Sequence, residues 1–78
     1  MHRFFFDIID GNSVLIDDVG TEFNGLAEAR AEVIAFLPNL LRDKREISTP
    51  STLTVLLRDS VGIQRYRASI SVEASIVS

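Results

Sequence analysis

Apolar positions recur along this chain in more than one rhythm, and the rhythm changes at glycine, aspartate and proline. Residues 3–9, Arg-Phe-Phe-Phe-Asp-Ile-Ile, are aromatic and β-branched and stop at Asp10-Gly11-Asn12. Asp-Gly or Gly-Asn between apolar runs is a strong hairpin signal, because glycine takes positive φ at no steric cost. Val14-Leu15-Ile16 returns as a second strand. Asp17-Asp18-Val19-Gly20 turns again and leaves Thr21-Glu22-Phe23 to extend or cover the sheet. From Leu26 the spacing becomes three and four residues, through Leu26, Ala29, Val33, Phe36 or Leu37, Leu40 and Leu41. That spacing predicts an amphipathic helix over about 26–43. Asn24 is its expected N-cap and Glu28 favours the positive end of its dipole, while Arg42, Lys44 and Arg45 crowd the other end. Pro38 lies inside the helix and removes an amide donor, which predicts a kink or break near 36–38.

Lys44 to Ser51 has no periodicity and reads as a loop. Leu53, Val55 and Leu57 then alternate as a third strand, and Asp59-Ser60-Val61-Gly62 turns. In the last stretch Tyr66, Ala68, Ile70, Val72, Ala74 and Ile76 alternate with Arg65, Arg67, Ser69, Ser71, Glu73 and Ser75. A one-residue slip would turn the whole apolar set to the wrong face, so Val55 or Leu57 should lie opposite Tyr66.

The order ββαββ predicts an α+β fold over residues 1–78, a single small domain. One helix can cover one face of a sheet, so the expected architecture is a two-layer sandwich. Its four-stranded sheet should be mainly antiparallel with the first strand inside. Segment 63–77 is roughly twice as long as its hairpin partner 52–58, so its excess should pair with the first strand or with another copy.

Alternation also says what the helix leaves bare. With Phe4, Phe6 and Ile8 turned to the helix, Phe5, Asp7 and Ile9 turn away from it. With Leu53, Val55 and Leu57 turned in, Leu56 and Arg58 turn out beside Arg65 and Arg67. The expected interaction surface is therefore Phe5, Ile9 and Leu56, with one or two of residues 14–16, bordered by Arg58, Arg65 and Arg67. Exposed apolar patches of this kind mark contact surfaces. A homodimer is the expected partner arrangement, and an unidentified protein partner is the other. Cover by residues 19–25 or by the C-terminal tail is the competing account of the same patch.

Composition sharpens this picture. The chain has 78 residues, 46% of them apolar, and its mean hydropathy is +0.21. A domain of this size buries only roughly 60% of its unfolded surface, so the apolar excess asks for a contact. No cysteine is present, which excludes disulfides and sulfur-bound metals and favours a cytoplasmic address. No apolar run approaches a membrane span, and the opening Met1-His2-Arg3 runs straight into the first strand without a leader's apolar stretch, so an unprocessed intracellular chain is expected. The net charge of −3 argues against nucleic acid. Its sign is uneven, however: residues 1–32 hold two basic and seven acidic side chains, and residues 33–78 hold six and four. The alternative function is thus a nucleic-acid-binding or toxin-neutralising module using Arg58, Arg65 and Arg67.

Candidates for chemistry are few. His2 is the only histidine and stands at a chain end with no neighbour to orient it. None of the eight serines sits in a nucleophile-elbow context. Asp7, Asp10, Asp17, Asp18 and Glu22 gather in the first hairpin and its turn, where a hard cation could bind, but Asp10-Gly11-Asn12 lacks the other ligands of a calcium loop. Aspartate at turns more often bonds its own backbone. The reading assigns no catalytic, cofactor or metal residue, and the chain is not expected to be an enzyme.

Arg3-Phe4-Phe5-Phe6-Asp7, then Asp10-Gly11, then Asp17, Gly20 and Glu22-Phe23 resemble the opening of a family of small bacterial proteins of unknown function. Its members begin R-[YF]-F-F-[DH]-x-x-D-G, continue D-x-x-G-x-E-[LF] and enter a helix rich in Ala, Glu and Arg. Leu26 and Ala29-Arg30-Ala31-Glu32 match that helix, and Arg58-Asp59 with Gly62 is similar to a late R-D-x-x-G turn. Gly25, where the family tends to have an acidic cap, and Pro38 depart from the pattern. The resemblance implies no activity. A looser likeness, at the level of fold, is to antitoxin domains of the HicB type.

Overall fold

The structure is a computed structural model that describes residues 1–43 and 51–77. Its elements are β1 (His2–Asp10), β2 (Ser13–Leu15), β3 (Thr21–Phe23), α1 (Leu26–Asp43), β4 (Ser51–Arg58) and β5 (Gln64–Val72). The fold is α+β, and the described residues form one helix and a five-stranded sheet. Every strand pairing among the described residues is antiparallel, and the sheet order is β2-β1-β4-β5 with β3 also on β1. β1 is therefore interior, as expected, and its neighbour from the second hairpin is β4.

The fifth strand is a correction to the four expected. Thr21–Phe23 pairs with His2–Phe4, so His2 is part of the sheet opposite Phe23 and not a loose end. Phe23 explains why: it is buried, 6.2 Å from the Phe4 ring and 5.8 Å from the Phe6 ring. A short strand that brings one aromatic ring into the core gains more from burial than from its few backbone bonds.

Asp10 lies opposite Ser13, leaving Gly11-Asn12 as a two-residue loop. Gly11 has φ 60 while no described non-glycine residue, Asn12 included, has positive φ, the pattern of a type II′ turn. In the second hairpin Leu57 lies opposite Tyr66, one of the two registers expected, and a bulge follows between Leu57 and Arg58. β5 ends at Val72 because its partner Ser51 begins β4. Residues 73–77, expected to continue the last strand into another pairing, lie outside the sheet.

α1 packs on the sheet through Ala29, Val33 and Leu37, which meet Phe4, Phe23, Leu53, Val55 and Leu57 in one buried cluster. The cap differs from expectation. Ala29 N–H donates to the Gly25 carbonyl at 3.2 Å, which makes Gly25 the N-cap. Asn24 stands one residue earlier and donates its backbone N–H and its side-chain amide to the Glu28 carboxylate at 3.3 and 3.1 Å. The helix also runs through Pro38 without a break. Pro38 and Ile34 are both exposed, so the carbonyl that loses its donor faces water. Of the loop expected from Lys44 to Ser51, residues 44–50 fall outside the described residues and Ser51 begins β4.

Candidate functional site

The face of the sheet opposite the helix carries a compact polar network, built from three separate parts of the chain. Phe5 lies opposite Arg58 and Asp7 opposite Leu56 in the β1–β4 register, so Asp7 and Arg58 are diagonal neighbours on one face. Asp7 is buried. Its carboxylate accepts two bonds from Arg58, Nε at 2.6 Å and Nη2 at 3.0 Å, and a third from the Asp17 N–H at 3.0 Å. Arg58 Nη2 also donates to the Asp17 carbonyl at 2.9 Å. The Asp17 carboxylate in turn accepts the N–H groups of Phe6 at 3.1 Å and of Val19 and Gly20, each at 3.0 Å. Arg3 ties down the same turn, donating to the Val19 carbonyl at 2.9 Å and pairing with Glu22 at 3.3 Å.

Gly20 completes the seat. Its φ is +78, and a Cβ there would stand 2.9 Å from both Arg3 Cγ and Phe5 Cε1 and 3.0 Å from the Phe4 carbonyl oxygen. The Arg58 guanidinium lies over the Phe5 ring at 5.0 Å. Turn 17–20 is thus clamped against Phe5, Asp7 and Arg58.

Electrostatics agree with a clamp. The Arg58 hydrogen bonds hold the Asp7 carboxyl below the usual carboxylate range, against the opposing effect of burial. For Asp17 burial is the largest single influence and acts upward, but three amide donors and the Arg58 charge outweigh it, and its acidity is also increased. The Arg58 guanidinium is raised above its ordinary value by Asp7. A group that exchanges protons in a reaction works best with a pKa near the operating pH. Asp7 and Asp17 are pushed the other way, and N–H donors occupy both oxygens of each. Among the described residues no group of three or more His, Cys, Asp or Glu could hold a metal ion.

The residues expected to form an open interaction surface separate into two sets. Leu56 is buried at 8% exposure, Phe5 is half-buried under the turn, and Arg58 is engaged with Asp7. Residues 17–20 cover that part of the face. Ile9 is half-buried opposite Val14 and Thr54, Arg65 is exposed 3.7 Å from Asp59, and Arg67 is exposed with no ion pair among the described residues. Arg58 and Arg65 thus each stand beside an aspartate. Asp18 is exposed, and Glu22 is paired with Arg3.

Among the described residues, concavities lie elsewhere. A cleft of about 310 Å³ opens at the start of β1 and α1, with His2, Arg3, Asp59 and Arg65 on its wall. An apolar groove of about 450 Å³ runs between the hairpin and the second half of α1, lined by Ile8, Leu15, Leu40 and Leu53. Sequence reading did not single out Leu40 or Leu15 as groove residues. The signal was the run Val14-Leu15-Ile16, apolar on both faces of a strand.

Comparison with known proteins adds one match. A family model described as a domain of unknown function (DUF6894) fits residues 3–71. No curated protein and no solved structure matches the chain.

Proposed function

We propose, from the premise that the chain belongs to the DUF6894 family of domains of unknown function, that it is a non-enzymatic interaction module that self-associates. We read its architecture as a two-layer sandwich, with α1 on one face of the sheet. The supporting observation is the aliphatic surface left in water at both margins of the sheet. Val14 and Leu15 on β2 are 58% and 66% exposed, and Ile76 and Val77 beyond β5 are 98% and 91% exposed. Such a concentration of apolar surface on so small a domain favours association. The helix-free face contributes less than its sequence suggests, because Phe5, Leu56 and Arg58 are engaged with their own chain. Its available members are Ile9, Arg65 and Arg67.

The alternative, a nucleic-acid-binding or toxin-neutralising module using Arg58, Arg65 and Arg67, has less support. Two of its three cations already stand beside aspartates. The test is the mass of the intact chain by sizing with light scattering across a range of concentrations. A mass of two copies is expected; a single copy at every concentration overturns self-association.

A further inference from the structure

β5 ends the sheet order, so among the described residues one of its edges has no strand beside it. An uncovered edge of nine residues is a template for another strand. Its apolar alternation does not stop where the pairing stops. Tyr66, Ala68 and Ile70 pack against the core, and Ala74 and Ile76 continue the same parity into the exposed tail. On the other parity stand Arg67 and Glu73, both exposed and neither in an ion pair with another described residue.

We propose that two copies of the chain pair antiparallel along this edge, about a two-fold axis at Ile70, with Arg67 of each copy opposite Glu73 of the other. The proposal rests on the self-association argued above and assigns it a surface. Directly opposed residues of an antiparallel pair share a face. Centred on Ile70, the register sets Ala68 against Val72 and Tyr66 against Ala74 on the helix side. On the other side it sets Ser69 against Ser71 and forms two Arg67–Glu73 pairs.

Other registers that keep the faces matched serve the charges less well. Centring on Ser69 turns Glu73 to Arg65, which already lies 3.7 Å from Asp59 and beside the bulge. Centring on Tyr66 brings Arg65 against Arg67, and centring on Glu73 brings that carboxylate against its own copy. Charge complementarity therefore selects the Ile70 register. In it the tail gains a strand partner that β4 does not provide.

The test is a charge exchange on the full chain, read as the dimer dissociation constant by analytical ultracentrifugation. Both side chains are exposed, so the variants leave the core intact. Arg67→Glu or Glu73→Arg alone opposes like charges twice across the axis, and each should weaken the dimer about tenfold. The double variant Arg67→Glu/Glu73→Arg should restore it. A dimeric wild type whose single variants bind as well as it does would overturn the β5 edge while leaving self-association standing. Weakened singles without restoration in the double variant would overturn the Ile70 register. A monomeric wild type would overturn both readings.

Discussion

Asp7 is the charged side chain that the described residues bury, and its stability depends on one distant partner. Arg58 lies 51 residues away in the chain and supplies two of the three bonds to its carboxylate. Removing the cation leaves a buried charge with a single amide donor, a loss of about 3 kcal/mol in the range measured for broken buried pairs. Arg58→Ala should therefore lower the urea midpoint sharply at neutral pH. The same network sets a pH limit. Asp7 and Asp17 are both more acidic folded than free, so the folded state binds fewer protons. Their contribution is complete above the ordinary aspartate value of about 3.9 and fades as pH falls through the lower folded values. Urea midpoints of the wild type should hold from neutral pH to about 4 and drop below it. Arg58→Ala, which removes the main cause of the Asp7 shift, should drop less steeply. Parallel acid limbs for the two proteins would contradict this assignment.

At the scale of elements, α1 tolerates an internal proline because of where that proline lies. The Ile34 carbonyl loses its donor, but Ile34 and Pro38 are on the solvent side while Val33 and Leu37 hold the helix to the sheet. Pro38→Ala restores the donor without opening a core cavity. It should stabilise the domain by about 1–3 kcal/mol, read as a higher thermal midpoint; a lower midpoint would mean that the proline ring packs in the native state. The strands follow a similar logic. β2 is short because Asp17 bonds back to β1 at the Phe6 N–H, and β3 exists because Gly20 can turn the chain under Arg3 and Phe5. The residues that carry the family resemblance at Arg3, Asp7, Asp17, Gly20, Glu22 and Arg58 are thus parts of one turn-fastening device.

For the whole molecule, part of the apolar excess forms a core under α1 and part stays exposed, at the sheet margins and also at Val19, Ile34, Val61 and Ile63. If β5 pairs between copies, association stabilises the folded state by mass action. The thermal midpoint should then rise with chain concentration, and in Arg67→Glu that rise should move to higher concentrations. A midpoint independent of concentration in the wild type would deny the dimer any part in stability.

Local signals carried the two hairpins around one helix, the Gly11 turn and the helix over 26–43, and narrowed the partner of Tyr66 to Val55 or Leu57, because period and φ preference act over a few residues. The same signals placed Leu56 and Phe5 on the helix-free face but could not reveal what lies over them. That depended on a turn returning to Asp7 and Arg58, and on Thr21–Phe23 finding β1. Contacts between residues far apart along the chain are selected by which strands become neighbours and which charges must be neutralised when buried. Sequence alone therefore determined the faces of this protein, and tertiary structure decided which of them remain open.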